Sequence, residues 1–229
     1  NPDIEIVWIR DSTGVITARI VAEGEKQQAD AIWGLAVTSM AKIKKLALLV
    51  PYAPANLAAI RPSFRDKADP PAWVGMEAWV GAVCFNTIEG KKHAIKTPVS
   101  WFDLLDPVYK NEVMLGNPNS SGTAYLMLAS LVQVFGEDEA FKYMKALNAN
   151  VSSYARSGIG PMTAVKQGEI YVGSTVLHGV INEIVAGFPV KPVLPCEGVG
   201  YEVGSMAIIK GARNLDSAKK FVDWARTAE

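Results

Sequence analysis

The chain has 229 residues, 49% hydrophobic and 20% charged, which is enough apolar material for one large domain or two lobes of about 100 residues each and too little polarity for disorder. Lys plus Arg number 23 and Asp plus Glu 23, no run of basic residues stands out beyond KIKK at 42–45, and a nucleic-acid partner is not expected. The longest apolar run, 124–135, is about half of what a membrane span needs.

In chain order, residues 4–9 (IEIVWI) alternate apolar and polar side chains and predict a strand. The chain opens abruptly on that pattern, as a mature or truncated fragment would, so a missing signal peptide says little about compartment. A polar turn, RDSTG, leads into a helix over 15–23 with Ile16, Ile20 and Val21 on one face. The unit repeats: 29–34 (ADAIWG) reads as a short buried strand, and the helix that follows carries Thr38 and Ser39 near its first turn. Residues 53–71 are loop-rich, with Pro54, Pro62, Pro70 and Pro71. A long extended run covers 76–86, and a short strand is expected at 112–115.

The apolar helix to Phe135 comes next, and then an amphipathic helix with Phe141, Met144 and Leu147 on one face and acids at its start. SGIGPMTAVKQGE predicts a turn and a helix with Pro161 in its first turn. IYVGST reads as a strand and VLHGVINEIVAG as a helix. A second extended run covers 191–209, and Asn214 is placed to cap the last helix. Alternating strands and helices define an α/β class with mostly parallel sheets. If both long runs cross between lobes, residues 1–84 with 195–229 form one lobe and 85–194 the other. The cleft between them is then the natural ligand site.

The chemistry lies at the helix starts. First-turn N–H groups lack internal acceptors, and the helix dipole makes that end electropositive. NPNSSGTAYL at 117–126 sets Ser120, Ser121, Gly122 and Thr123 there: three hydroxyl donors and one open amide. DSTG (Ser12, Thr13) offers a similar end, and VTS (Thr38, Ser39) and RSGIG (Ser157) weaker ones. A single such end is most often only a cap. Four of them converging on one cleft predict an anion with phosphate-like oxygens. No GxSxG, HExxH or P-loop motif is present, and with two histidines the general-base inventory is thin, so an enzyme is not expected.

ADAIWG, GAVCFNT, PVSWFDLLDPVYKNEVMLGNPNSSGTAYL and CEGVGYEVGSMAIIKGARNLDSAKKFVDWA together resemble the periplasmic substrate-binding proteins of ATP-binding-cassette importers. Within these the chain is most similar to the ferric-iron-binding-like group, on the branch that carries phosphorylated or phosphonate solutes. The resemblance implies two α/β lobes joined by two crossing strands that close over ligand, a type II-like arrangement. It implies a membrane permease as partner, a small anionic organic solute, a monomer, no cofactor, and a periplasmic or lipid-anchored cell-surface location. The family has a further strand and helix before the equivalent of Ile4 and more helix after Glu229.

Iron binders of the group use adjacent tyrosines where this chain has Leu177 and His178. Fe³⁺ wants anionic oxygen ligands, so no metal site is expected, and a ferric-ion binder with a synergistic anion on Ser120–Thr123 is the alternative. The resemblance makes His178 a hydroxyl contact, although Gly179 stands where the sugar-phosphate branch has an aspartate. Glu202 and Glu197 are candidates to bind a hydroxyl or an ammonium, with Glu202 preferred. Trp33 is the candidate to stack on a sugar ring, whereas Trp8, Trp73, Trp79, Trp101 and Trp224 are assigned to packing. His93 is expected on solvated surface. Cys84 and Cys196 fall on the two proposed crossing strands; if those strands are adjacent a disulfide could brace the hinge, but free thiols are expected.

Overall fold

The computed structural model describes residues 3–225. The chain forms two compact units, Asn1–Ala78 with Glu202–Glu229, and Trp79–Tyr201. These divisions fall inside two long strands, 6 and 7 residues from the expected limits at 84 and 195.

The first unit contains α1 (Thr13–Glu23), β1 (Ala31–Ala36), α2 (Val37–Lys45), β2 (Leu49–Val50), the start of β3 (Val74–Asn86), nearly all of β8 (Tyr201–Ile209) and α8 (Leu215–Trp224). β8 pairs antiparallel with both β1 and β2. Its side chains alternate between two cores. Ala207 and Ile209 join Ile20, Ile32, Met40 and Ile43, while Met206 and Ile208 join Ile60, Val74, Ala218 and Val222. A strand covered on both faces reads as a continuous apolar run, and that is why VGSMAII shows no alternation. The β1–β8 register shifts between Ile32 and Leu35, where Gly34 takes φ +75, the left-handed conformation suited to glycine at a bulge.

The second unit contains the rest of β3, α3 (Thr87–Lys92), β4 (Val113–Gly116), α4 (Gly122–Phe135), α5 (Glu137–Leu147), β5 (Val151–Ala155), α6 (Gly160–Gln167), β6 (Val172–Val176), α7 (Leu177–Val185) and β7 (Val190–Val193). β3 is antiparallel to β6 and β7, whereas β4 runs parallel to β5 and β6. Val83 and Phe85 face a core with Trp101, Leu104, Leu115, Leu131 and Tyr143, and Cys84 faces the opposite core with Met162, Val165 and Val180.

Several expectations need correction. The sheet is mixed rather than mostly parallel. Parallel pairing occurs where helices link β4, β5 and β6; β3 instead runs antiparallel to β6 and β7, and β8 to β1 and β2. Residues 4–9 are not a strand; among the described residues nothing pairs with them, and Val7 is 85% exposed. Alternation fits a sheet edge but cannot supply one. α5 buries Ala140, Tyr143 and Leu147, and Phe141 faces solvent. Steps of three residues drift around a 3.6-residue helix, so 141, 144 and 147 do not hold one face. The 191–209 run is two strands, split by a turn in which the Gly198 amide donates to Pro195 O at 3.0 Å. Cys196 lies in that loop, exposed, while Cys84 is buried on β3, and both are free thiols. Burial, and next the charge of Glu183, pushes the Cys84 thiol up to about 12. The edge strand β5, which sequence reasoning passed over, exposes most of its side chains and so carries little apolar pattern.

Candidate functional site

The second unit joins two of the expected helix ends. Ser121 is the N-cap of α4; it is 1% exposed, and its Oγ accepts the Ala124 amide at 3.2 Å. Ser120 Oγ donates to Arg156 O at 2.7 Å, and the Asn117 amide donates to Ala155 O at 2.8 Å. These bonds hold the start of α4 against the loop that leads into α6. In that loop Ser157 Oγ accepts the Gly160 amide at 3.1 Å. Gly158 lies flat on Thr123: a Cβ there would fall on Thr123 Oγ1 and sit 2.6 Å from Thr123 Cβ. Ser120, Ser121, Gly122, Thr123 and Ser157 therefore form one cluster. The first-turn amides of Gly122 and Thr123 have no intrahelical acceptor, so the cluster presents N–H donors, hydroxyls and the positive end of a 14-residue helix.

His178 is exposed in the first turn of α7. The helix has no side-chain cap, so the imidazole does not serve as one. Beside it, Gly179 is packed: a Cβ would meet Met162 Sδ and Val176 Cγ2, each at 3.3 Å. An aspartate at this position would press on both, which gives the glycine a packing reason.

In the first unit Thr38 and Glu202 meet. Thr38 Oγ1 donates to Glu202 Oε2 at 2.9 Å, and the Val203 amide donates to Glu202 Oε1 at 3.0 Å. Glu202 is 5% exposed, so it is a buried, bonded carboxylate rather than a loose loop side chain. Glu77, which sequence reasoning did not select, lies across the same strand, since a Cβ on Gly204 would be 2.6 Å from Glu77 Oε1. The available signal was a carboxylate interrupting the apolar run VGMEAWVGAV. Ser39 shares the first turn of α2 and is half-buried.

The other candidates make local contacts of their own. Ser12 caps α1 through its backbone without a side-chain bond, with Thr13 as the first helical residue. Asp11 Oδ1 accepts the Ser12 amide at 2.7 Å, which sets a negative charge where an anion was expected. Glu197 anchors a loop: its carboxylate accepts the Ser100 hydroxyl and, at 3.1 Å, the Trp101 amide. Burial pushes that carboxyl up, but the Ser100 and amide hydrogen bonds outweigh it and hold the pKa below the ordinary value. Trp33 does not stand alone as a stacking platform. It packs at 5.3 Å from Trp8, 5.0 Å from Phe221 and 6.2 Å from Trp224, ring centre to ring centre. Trp101 is core, but Trp8 and Trp224 belong to this half-exposed aromatic cluster. His93 is exposed, as expected, and its Nε2 lies 3.4 Å from Glu89 with its ring beside Tyr171. Among the described residues, no group of three or more His, Cys, Asp or Glu side chains is arranged to hold a metal ion.

Comparison with known proteins adds to this geometry. The chain is 40% identical over 99% of its length to an uncharacterised protein of Haemophilus influenzae, covering 66% of that protein. It is 24% identical to the major ferric iron-binding protein of Neisseria meningitidis serogroup B, over 93% of this chain and 65% of that one. The chain spans about two thirds of the length of these curated relatives. Among solved structures it matches the periplasmic binding protein AfuA of Actinobacillus pleuropneumoniae, determined with exogenous fructose-6-phosphate bound. The TM-score is 0.93 and the identity 40%, over 98% of this chain and 72% of that one. A family model matches residues 27–229, and the chain belongs to the bacterial extracellular solute-binding protein family.

Proposed function

We propose that the chain is the extracytoplasmic solute-binding component of an ATP-binding-cassette importer, and that its solute is a small phosphorylated or phosphonate compound of the hexose-phosphate or 2-aminoethylphosphonate type. The observation that carries this reading is the cluster at the start of α4. Ser120, Ser121, Gly122 and Thr123 are held against the Ser157 loop by bonds that leave first-turn amides free to donate. Such an end binds a phosphate without a lysine or arginine, because oriented amide dipoles supply the field and charge-assisted hydrogen bonds offset dehydration. The 40% identical AfuA structure holds a hexose phosphate, which supports the same chemistry here.

His178, in the same unit as this cluster, is proposed to read the remainder of the solute; within the first unit, Thr38, Ser39, Glu202 and Glu77 are proposed as ligand-binding residues. An imidazole suits a hydroxyl group, and carboxylates suit hydroxyl or ammonium groups rather than a second phosphate. The proposed partner is the importer's membrane permease, and the proposed setting is a periplasm or, as a lipoprotein, a cell surface.

Thermal unfolding against a panel tests the reading. The panel holds hexose 6-phosphates, phosphoglycerates, 2-aminoethylphosphonate, inorganic phosphate, and Fe³⁺ with citrate. A ligand that binds the native state raises Tm by linkage, and one organophosphate is expected to do so. A shift with iron alone would replace this reading with a ferric-ion binder.

A further inference from the structure

Helices α6 and α7 of the second unit carry at their starts two of the residues proposed above to meet the solute. Ser157 belongs to the loop that enters α6, and His178 stands in the first turn of α7. The two helices touch at two rungs. At the first, Met162 of α6 lies against Gly179 of α7, where a Cβ would come within 3.3 Å of Met162 Sδ and 3.4 Å of its Cε. At the second, about one turn further along both helices, Lys166 Nζ donates to each carboxylate oxygen of Glu183 at 3.0 Å. Residues four apart share a helix face, so Met162 with Lys166 and Gly179 with Glu183 form matched stripes on facing helices.

The second rung is more than a surface ion pair. An exposed pair is worth little, because water and salt screen it. Here the side chains are only 22% and 17% exposed, and the Lys166 ammonium also lies 4.7 Å from the centre of the Phe188 ring, just beyond α7. Lys166 stands in the last turn of α6, where the helix dipole favours a cation, but Glu183 stands near the C-terminal end of α7, where it opposes an anion. A carboxylate there does nothing for its own helix, so its use lies in what it holds. The head of α6 is seated on the strand that runs into α7: a Cβ on Gly173 of β6 would meet Pro161 O at 2.8 Å.

We propose that Lys166 and Glu183 are positioning residues of the solute site: their ion pair fixes the rotation and rise of α7 on α6, and so the place of the His178 imidazole relative to the Ser157 loop. The Met162–Gly179 contact alone permits sliding, because a glycine has no side chain to interlock and a methionine is flexible. A second rung one turn away removes that freedom, since a rotation that kept the first contact would break the other. His178 adjoins Gly179, so any turn of the helix carries it. This role rests on the proposal that His178 meets the solute.

A double-mutant cycle with His178 tests it, read by calorimetric titration of fructose 6-phosphate and of 2-aminoethylphosphonate. Lys166→Met keeps the apolar stem and removes the charge, and Glu183→Gln keeps the shape and removes the charge from the other side. Each is expected to weaken whichever compound the wild type binds by about three- to tenfold, whereas Lys166→Arg, which keeps the pair, stays near the wild type. In a His178→Ala background the same changes should cost nothing further. A pair that only stabilises the fold lowers Tm and costs the same factor in both backgrounds, or none; either result would overturn the proposal. The imidazole NMR signals of His178 in solute-free protein give a second readout, with His93 as the reference, since the chain has two histidines. They should move in Lys166→Met, and signals that stay in place would overturn the proposal equally. A wild type that binds neither compound would remove the solute reading and this role with it, an outcome distinct from wild-type binding without coupling to His178.

Discussion

Gly158 shows how much one residue decides. Nothing in RSGIG says that the backbone at its first glycine must lie against Thr123, yet the packing there admits no side chain. Gly158→Ala is expected to force the 156–160 loop off the start of α4, at a cost of about 1–3 kcal/mol in stability. If the solute reading is right, affinity for whichever organophosphate raises Tm falls at least tenfold by calorimetric titration. Unchanged affinity in a folded variant would remove the loop from the site. Glu202 makes the complementary point. Its place before a long apolar strand was readable, but its bond to Thr38, 164 positions away, was not. Ser174 and Thr175 were legible only as part of a strand, IYVGST; the bond from the Gly116 amide to Ser174 Oγ follows from a neighbour on β4.

Helices and buried strands were legible where a local pattern is also a packing requirement. α4 follows its cap and its apolar run, and α6 begins with Pro161 as its sequence predicts. β5 and residues 4–9 fail in opposite ways. An edge strand needs little apolar surface, and an alternating segment needs a partner that pattern cannot provide. Packing of one element on another is equally hidden. A Cβ on Gly173 in β6 would meet Pro161 O at 2.8 Å and Pro161 Cβ at 2.9 Å at the head of α6. Since backbone cannot step aside cheaply, Gly173→Ala is expected to destabilise the fold by about 1–3 kcal/mol. Urea unfolding measures this, and a midpoint equal to that of the wild type would show that β6 and α6 have room to separate.

For the whole molecule, the paired carboxylates set the response to acid. At Asp66, burial pushes the carboxyl up, but the Lys44 hydrogen bond at 2.6 Å and the Ala72 amide outweigh it and leave the pKa lowered. At Asp30, burial again raises the pKa, and the bonds from Asn214 reverse the effect. Glu197 behaves likewise. A pKa depressed in the native state contributes stability that is fully present above the ordinary carboxylate range and is lost as pH falls through the depressed values. Tm is therefore expected to hold from neutrality down to about pH 5 and to decline below it. Asp66→Asn should lower Tm at neutral pH and shrink that decline; an identical slope in the variant would show that the Lys44–Asp66 pair has no part in it.

By itself the sequence determined the α/β class, the run of most helices, the long strands β3 and β8, and the polar chemistry at the start of α4. Each of these is written in local spacing, where a periodicity or a cap states its own requirement. Only the tertiary structure decided which strands pair, that the α4 and α6 ends form one cluster, that Trp33 packs among Trp8, Phe221 and Trp224, that Glu197 bonds Ser100 and Trp101, and that Thr38 meets Glu202. These depend on contacts between distant residues, and side-chain hydrogen bonds across 36 to 164 positions, like close packing between elements, leave no periodic trace in the chain that makes them.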